Sequence, residues 1–244
     1  MSSCMCMLSS YSPLEPKVLP LFGFYIGIIL FSIFMTVAMF LKYKERKVDA
    51  PKYLAIVFLI LTIAVIAITI GLGEAVITGF YKEVYRFSLP FAYTSIIVAD
   101  IFLYLFATEI VQAGKKLLPI FIIIGVFIGV LLWLPWNWWG FPSTDYEGQL
   151  NTRIYSTLGL IAYSYVIYIY IASICWQARL KTDDKIASRA LELLFLSMFC
   201  MIGFFGMFAI DTVLIMLGDP GYTIYVYLAW VFAILFYITA YLSL

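Results

Sequence analysis

The chain has 244 residues, of which 65% are hydrophobic and 12% are charged, and its formal net charge is +1. This balance is too apolar for a soluble domain of this length, and it excludes a nucleic-acid-binding surface rich in Lys and Arg. The sequence contains no histidine, which excludes haem ligation by His, zinc sites of three His and imidazole copper sites. We therefore expect no cofactor and no metal. Without His or paired central carboxylates we also expect no enzymatic activity.

Seven apolar stretches follow one another along the chain. Six contain no charged residue, and the remaining one, 87–108, is interrupted only by Asp100. Each is close to the ~20 residues that a helix needs to cross ~30 Å of hydrocarbon. The sequence therefore predicts an all-α bundle of seven transmembrane helices over residues 17–244, preceded by a polar tail, 1–16, without the features of a signal peptide. The uncharged stretches are 18–41, 53–73, 117–144, 154–178, 193–210 and 220–244.

The distribution of Lys and Arg predicts the orientation of the bundle. The first, third and fifth connections hold eleven of the fifteen basic residues, and the N-terminal tail and the even connections hold four. By the positive-inside rule, the N-terminus lies outside the cell membrane and the C-terminus lies in the cytosol. The fourth stretch supports the same orientation. It follows the basic pair Lys115 and Lys116 and ends in a Trp-rich cluster that suits the outer headgroup layer.

A weak internal repeat divides the chain. At an offset of about 136 residues, the basic segment 40–52 falls against 176–188, and Glu74 falls within one position of Asp211. This alignment predicts two parallel halves, 18–112 and 154–244, joined by a linker helix at 117–139. The alternative is that any two helical hairpins in a membrane share such features.

Two acidic residues are predicted to form ion pairs at the inner interface. Glu109 precedes Lys116 by seven residues on the same helical face. Glu192 follows Arg189 by three residues and Lys185 by seven, again on one face. Both carboxylates are expected to be structural.

Asp100 stands near the middle of its stretch, and Tyr93 and Tyr104 lie on the same helical face. This face is expected to point into the bundle, because exposing Asp100 to lipid costs about 2.5 to 3.5 kcal/mol. Two interpretations stay open. Asp100 either forms structural hydrogen bonds to a tyrosine, serine or threonine of a neighbouring helix, or belongs to a ligand or proton site that includes the two tyrosines.

Glu74 and Asp211 lie near the outer ends of the second and sixth helices, at comparable depth. They are candidates for the mouth of an outward-facing pocket that prefers cations or amines. The alternative is two solvated carboxylates at helix ends. Tyrosines of the fifth helix are expected to contribute to the pocket, namely Tyr163, Tyr165, Tyr168 and Tyr170.

Two G-x-x-x-G matches occur in the apolar stretches, one formed by Gly23 and Gly27 and the other by Gly125 and Gly129. Small residues at this spacing let two helix backbones approach closely. We expect both pairs to serve packing within the monomer.

The seven-helix pattern, the basic connection ARLKTDDKIASR before the sixth helix and the polar break LGDPGY before an aromatic seventh helix resemble the heptahelical sensor modules of prokaryotic histidine kinases. The resemblance implies a membrane sensor that binds a ligand from outside. Microbial rhodopsins share this topology, but the seventh stretch lacks the lysine that carries retinal, so no such chromophore is expected.

The sequence therefore favours a receptor-like protein of the lipid bilayer that binds a small ligand or lipid on its outer side and signals through a protein partner. One alternative is a small-solute or ion transporter that uses Asp100, and another is an accessory subunit of a membrane complex. The expected contacts with a partner at the inner face are Lys44, Arg46, Lys47, Arg179, Lys181 and Lys185.

Overall fold

The computed structural model describes residues 13–47, 49–111, 115–134, 153–217 and 223–244. These residues form seven long helices and no β-strand, which confirms the predicted all-α class. Each helix forms the body of a segment long and apolar enough to cross a membrane, as expected for a multi-pass membrane protein. The helices are α1 Leu19–Arg46, α2 Asp49–Thr78, α3 Glu83–Val111, α4 Leu118–Leu132, α5 Arg153–Leu180, α6 Lys185–Met216 and α7 Ile224–Leu242.

Several predicted features fall outside the described residues. They are most of the N-terminal tail, the end of the proposed linker helix at 135–139 with its Trp-rich cluster, and most of the polar break before α7. Some helices are longer than the apolar stretches that predicted them, since α1 continues to Arg46 and α6 already begins at Lys185, whereas α7 is shorter than its stretch, 220–244. An apolar stretch marks the width of the hydrocarbon, whereas the helical backbone continues into the hydrated interface, where charged side chains are tolerated.

Six helices form a closed ring, and α4 lies on its outside. Packing is most extensive between α2 and α3, followed by α6 with α7, α1 with α2, and α5 with α6. Contacts of α3 with α5 and of α1 with α7 complete the ring, whereas α4 packs against α3 and α5. Large apolar side chains of α4 therefore face away from the bundle, including Ile123 and Phe127.

One end of the ring, which we call the Pro13 end, is where the described chain begins. The backbone N–H of Leu14 donates to the carbonyl of Gly79, 2.8 Å away, and Pro13 forms an isolated bridge with Phe80. Gly79 ends α2 with a φ of +74°, a left-handed conformation that glycine adopts without steric cost. The segment before α1 is thereby fixed to the α2–α3 connection.

The opposite end, which we call the basic end, holds the lysine-rich and arginine-rich connections. The Lys42 ammonium donates to the carbonyl of Tyr241 at 2.9 Å and lies 4.2 Å from the centroid of its ring. This contact ties the end of α1 to the end of α7.

Glu109 and Glu192 each form an ion pair, as predicted, but the predicted partners were wrong. Glu109 pairs with Lys115 at 2.5 Å instead of Lys116, because Lys115–Leu117 form a 3-10 turn that breaks the helical register assumed for the spacing of seven. Glu192 pairs with Arg179 at 3.2 Å, across the α5–α6 connection, instead of Arg189 or Lys185 on its own helix.

The expectation that both glycine pairs serve close packing was largely wrong. Nothing approaches within 4 Å of an ideal Cβ at Gly23, Gly27 or Gly129. At Gly125, in contrast, an added Cβ would lie 2.8 Å from Ile97 Cγ2 and 3.0 Å from Tyr163 Oη. Of the four glycines in the two matches, Gly125 alone lies in a tight contact, where α3 and α5 approach α4.

Candidate ligand-binding cavity

A cavity of about 430 Å³ lies in the centre of the six-helix ring, in the half toward the Pro13 end. All six ring helices line it, and α4 does not. It extends along α2 from Leu72 to Leu61 and along α7 from Val226 to Tyr237. At 1.5 Å per residue the cavity is about 16 Å long, and its inner end lies near the middle of α2.

Asp211 lines the cavity near the end of α6 and is largely buried. Its Oδ1 accepts hydrogen bonds from the backbone N–H and the hydroxyl of Thr223, at 2.8 and 2.7 Å. Thr223 caps α7, and its own side-chain oxygen accepts the N–H of Tyr225. The carboxylate therefore lies at a helix N-terminus, where N–H groups and the helix dipole stabilise negative charge.

Four aromatic rings on α1, α6 and α7 form what we call the aromatic cluster: Tyr25, Phe204, Phe208 and Trp230, all of which line the cavity. The ring centroid of Trp230 lies 5.2 Å from that of Tyr25, 5.5 Å from that of Phe204 and 6.3 Å from that of Phe208. All three pairs pack edge to face, as aromatic pairs prefer.

Phe208 and Phe204 precede Asp211 by three and seven residues, so these two rings lie on the same face of α6 as Asp211 and closer to the middle of the bundle. The carboxylate and the rings therefore belong to one region of the cavity.

Two buried polar atoms of the cavity-lining residues have no partner within hydrogen-bond geometry among the described residues. They are Trp230 Nε1 and Tyr237 Oη. Both atoms belong to residues that line the cavity.

Asp100 does not line the cavity. It is 1% exposed, and it accepts hydrogen bonds from Ser164 Oγ at 2.6 Å and from Tyr168 Oη at 2.5 Å. Each carboxylate oxygen thus accepts one hydrogen bond from α5. The two donor residues are four positions apart and therefore lie on one face of α5. The sequence leaves two interpretations of Asp100 open, structural hydrogen bonds to a neighbouring helix or a ligand or proton site. The observed hydrogen bonds agree with the first.

Phe205 separates Asp100 and its two donors from the cavity. It lines the cavity, and its ring centroid lies 6.0 Å from that of Tyr168. Ile96, one turn before Asp100 on α3, also lines the cavity. The hydrogen-bonded carboxylate therefore lies just beyond the cavity floor.

The other predicted site residues are dispersed. Tyr93 lines the cavity. Glu74 is not among the lining residues, and its Oε2 accepts the backbone N–H groups of Val84 and Tyr85 at the start of α3. Tyr104 is fully buried elsewhere, with its ring 4.9 Å from that of Phe121. The structure thus brings Asp211 and Tyr93 to one cavity and leaves the others outside it.

The expected contribution of the α5 tyrosines to this pocket was wrong. The hydroxyls of Tyr163 and Tyr165 donate to the carbonyls of Phe121 and Ile202, and Tyr168 binds Asp100. The Tyr170 ring packs against Tyr104. None of the four lines the cavity.

The six basic residues predicted at the inner face all lie at the basic end. Five are exposed, namely Lys44, Arg46, Lys47, Lys181 and Lys185. Arg179 is engaged instead, because it pairs with Glu192 and lies 4.8 Å from the centroid of the Trp176 ring.

The aromatic cluster was not identified from the sequence, although a signal was present. Phe204, Phe208 and Asp211 follow one another at spacings of four and three, which places two rings and a carboxylate on one helical face.

In the part of the chain that the structure describes, no group of three His, Cys, Asp or Glu residues is placed to hold a metal ion. The chain matches no known family model, curated protein or solved structure.

Proposed function

We propose that the chain is a receptor-like protein of the cell membrane that binds a small ligand or lipid from its outer side and acts through a protein partner. The cavity is the observation that carries this proposal. It is enclosed by six helices, is walled mainly by apolar and aromatic side chains, and has a few polar groups, the usual character of a small-molecule site.

The proposal places the Pro13 end outside the cell and the basic end in the cytosol. Support comes from the excess of Lys and Arg in the connections at the basic end. In this orientation the cavity lies in the outer half of the membrane. A ligand then reaches it from outside.

The proposal includes two parallel halves, α1–α3 and α5–α7, with α4 as the linker. Glu74 on α2 and Asp211 on α6 each bind the backbone at the start of the following helix, α3 or α7. The two most extensive packing contacts also correspond, α2 with α3 and α6 with α7. The position of α4 outside the ring suits a linker.

Binding is favoured over transport because Asp100, the residue on which the transporter hypothesis depends, is held by two donors and lies outside the cavity. No described residue of the basic end lines the cavity, which ends near the middle of α2. A closed inner end suits a binding site that communicates with a partner through helix movement. The exposed lysines and arginines of the basic end are the proposed contacts with that partner.

A cavity-filling variant tests the proposal. Ala233 on α7 lines the cavity, so Ala233→Phe places a ring inside it. Val231 on the same helix is 47% exposed and faces away, so Val231→Phe is the matched control. We expect compounds from a panel of small apolar and amphipathic molecules to raise the unfolding temperature of the purified full-length chain and of Val231→Phe, but not of Ala233→Phe.

Two results contradict the proposal. One is that no compound of the panel shifts the unfolding temperature of the unmodified chain. The other is that the active compounds shift Ala233→Phe as strongly as Val231→Phe, which places their binding elsewhere.

A further inference from the structure

We infer that the cavity binds a lipophilic organic cation, that is, an amine or quaternary ammonium group joined to an apolar body. This inference rests on the ligand-binding function proposed above and specifies the class of ligand. The cationic head lies between Asp211 and the aromatic cluster. The apolar body extends toward Leu61 and Tyr237.

The charges of the cavity wall select a cation. Among the described residues that line the cavity, Asp211 is acidic and no lysine or arginine is present. The described residues also contain no ion pair that involves Asp211. A largely buried carboxylate is costly without a countercharge, and the Thr223 bonds and the α7 dipole offset only part of that cost. An anionic ligand is repelled, whereas a cation supplies the countercharge.

The aromatic cluster supplies the second half of the head-group site. A cation is attracted to a ring face within about 6 Å of its centroid. Neighbouring rings of the cluster lie 4.9 to 6.3 Å apart, so an ammonium group placed beside two neighbouring rings can lie within this range of both. Several rings next to one carboxylate form the arrangement by which proteins recognise amines and quaternary ammonium groups.

The deeper part of the cavity requires an apolar body. Leu61, Ala64, Met201, Ala233 and Phe236 line it there with apolar side chains, and the hydroxyl of Tyr237 adds one polar atom to this mainly apolar wall. This part forms the inner end of the cavity, which is about 16 Å long. A small hydrated cation leaves this space unfilled. An alkyl or ring body of several carbons fills it.

Three probes with the same alkyl chain test the ligand class: octyltrimethylammonium, octanol and octanoate. The full-length chain is studied in maltoside detergent, which carries no charge, and binding is measured from the rise in unfolding temperature with probe concentration. We expect clear binding of octyltrimethylammonium, weaker binding of octanol and no binding of octanoate. Asp211→Asn should weaken octyltrimethylammonium binding by roughly tenfold or more and leave octanol binding unchanged.

Glu74→Gln is the matched control. Glu74 binds the start of α3 as Asp211 binds the start of α7, but it lies outside the cavity. The asparagine oxygen in Asp211→Asn can still accept the Thr223 hydrogen bonds, so the start of α7 is retained. We expect Glu74→Gln to bind octyltrimethylammonium like the unmodified chain.

The ligand class is wrong if the three probes bind equally, if octyltrimethylammonium does not bind, or if Asp211→Asn and Glu74→Gln have the same effect. Binding of the probes to Ala233→Phe shows whether only the cation class is wrong or the cavity itself is not a ligand site. If octanol binds as well as the cation and Ala233→Phe abolishes both, the cavity is a ligand site and only the cation class is overturned. If Ala233→Phe leaves all probe binding unchanged, the cavity is not the site and both proposals are overturned.

Discussion

Glu74 and Asp211 each accept a backbone N–H from the beginning of the next helix, at the same end of the bundle. Glu74 Oε2 lies 2.9 Å from the nitrogen of Val84, and Asp211 Oδ1 lies 2.8 Å from the nitrogen of Thr223. Only Asp211 also lines the cavity. The two carboxylates therefore share a structural role, and only one of them can contact a ligand there.

Replacing Glu74 with alanine should destabilise the chain by about 1 kcal/mol, because two N–H groups at the start of α3 lose their acceptor. Reversible unfolding in mixed micelles measures this change. Glu83→Gln is the control, because Glu83, whose side chain is 50% exposed, lies in the first turn of α3 and pairs with Arg86, which the glutamine oxygen can still accept from. Equal effects of the two substitutions would show that Glu74 does not act as a cap.

The hydrogen bond between Tyr168 and Asp100 should contribute about 1 to 2 kcal/mol of coupling between α5 and α3, since both groups are buried. A double-mutant cycle measures it, with Tyr168→Phe made in the unmodified chain and in Asp100→Leu. We expect Tyr168→Phe to destabilise the first and to have a smaller effect in the second. Tyr155→Phe, at a tyrosine that is 71% exposed, is the control. The same loss in both backgrounds contradicts the coupling.

Gly71→Ala should destabilise the contact between α2 and α3 by about 1 to 3 kcal/mol. The added Cβ would lie 2.1 Å from Ser88 Oγ and 2.9 Å from Tyr85 Cα, so the backbone of α3 has to move. Gly27→Ala, at a helical glycine with nothing within 4 Å, should be neutral or stabilising. The free energies of unfolding of the two variants are measured in the same detergent and compared. Similar stabilities would contradict the close approach at Gly71.

The proposed orientation predicts which introduced cysteines react with a membrane-impermeant maleimide on intact cells. Lys17→Cys, near the Pro13 end, should react, and Lys181→Cys, at the basic end, should react only after the membrane is opened. Cys4 and Cys6 are replaced by serine in both variants, whereas Cys175 and Cys200 are buried and are retained. Labelling in the opposite order would reverse the orientation.

The number and type of the helices could be predicted because hydrocarbon thickness sets a length that any apolar stretch must reach. The partners of Asp100 could not, because Ser164 and Tyr168 are 64 and 68 residues away and their approach depends on how α3 packs against α5. The face of Asp100 was predicted to point inward, and its 1% exposure agrees.

The close glycine contacts could not be predicted from spacing alone. The G-x-x-x-G pattern indicates a smooth helix face without showing whether another helix lies against it, and Gly23 and Gly27 face open space. Gly71 and Gly203 do lie in tight contacts, against Ser88 and Phe232, and neither belongs to such a match. Which helix faces are paired is a property of the assembled bundle.

The place of α4 outside the ring gives its sequence unusual freedom. Its outward residues, such as Ile123 and Phe127, contact neither the cavity nor the basic connections, so exchange for any other apolar side chain should leave the proposed ligand binding unchanged. The inward residues of α4 lack this freedom. Among them are Gly125, which admits Ile97 and Tyr163, and Phe121, whose carbonyl accepts the Tyr163 hydroxyl. In diverging descendants of this chain, substitutions should accumulate fastest along that outward surface.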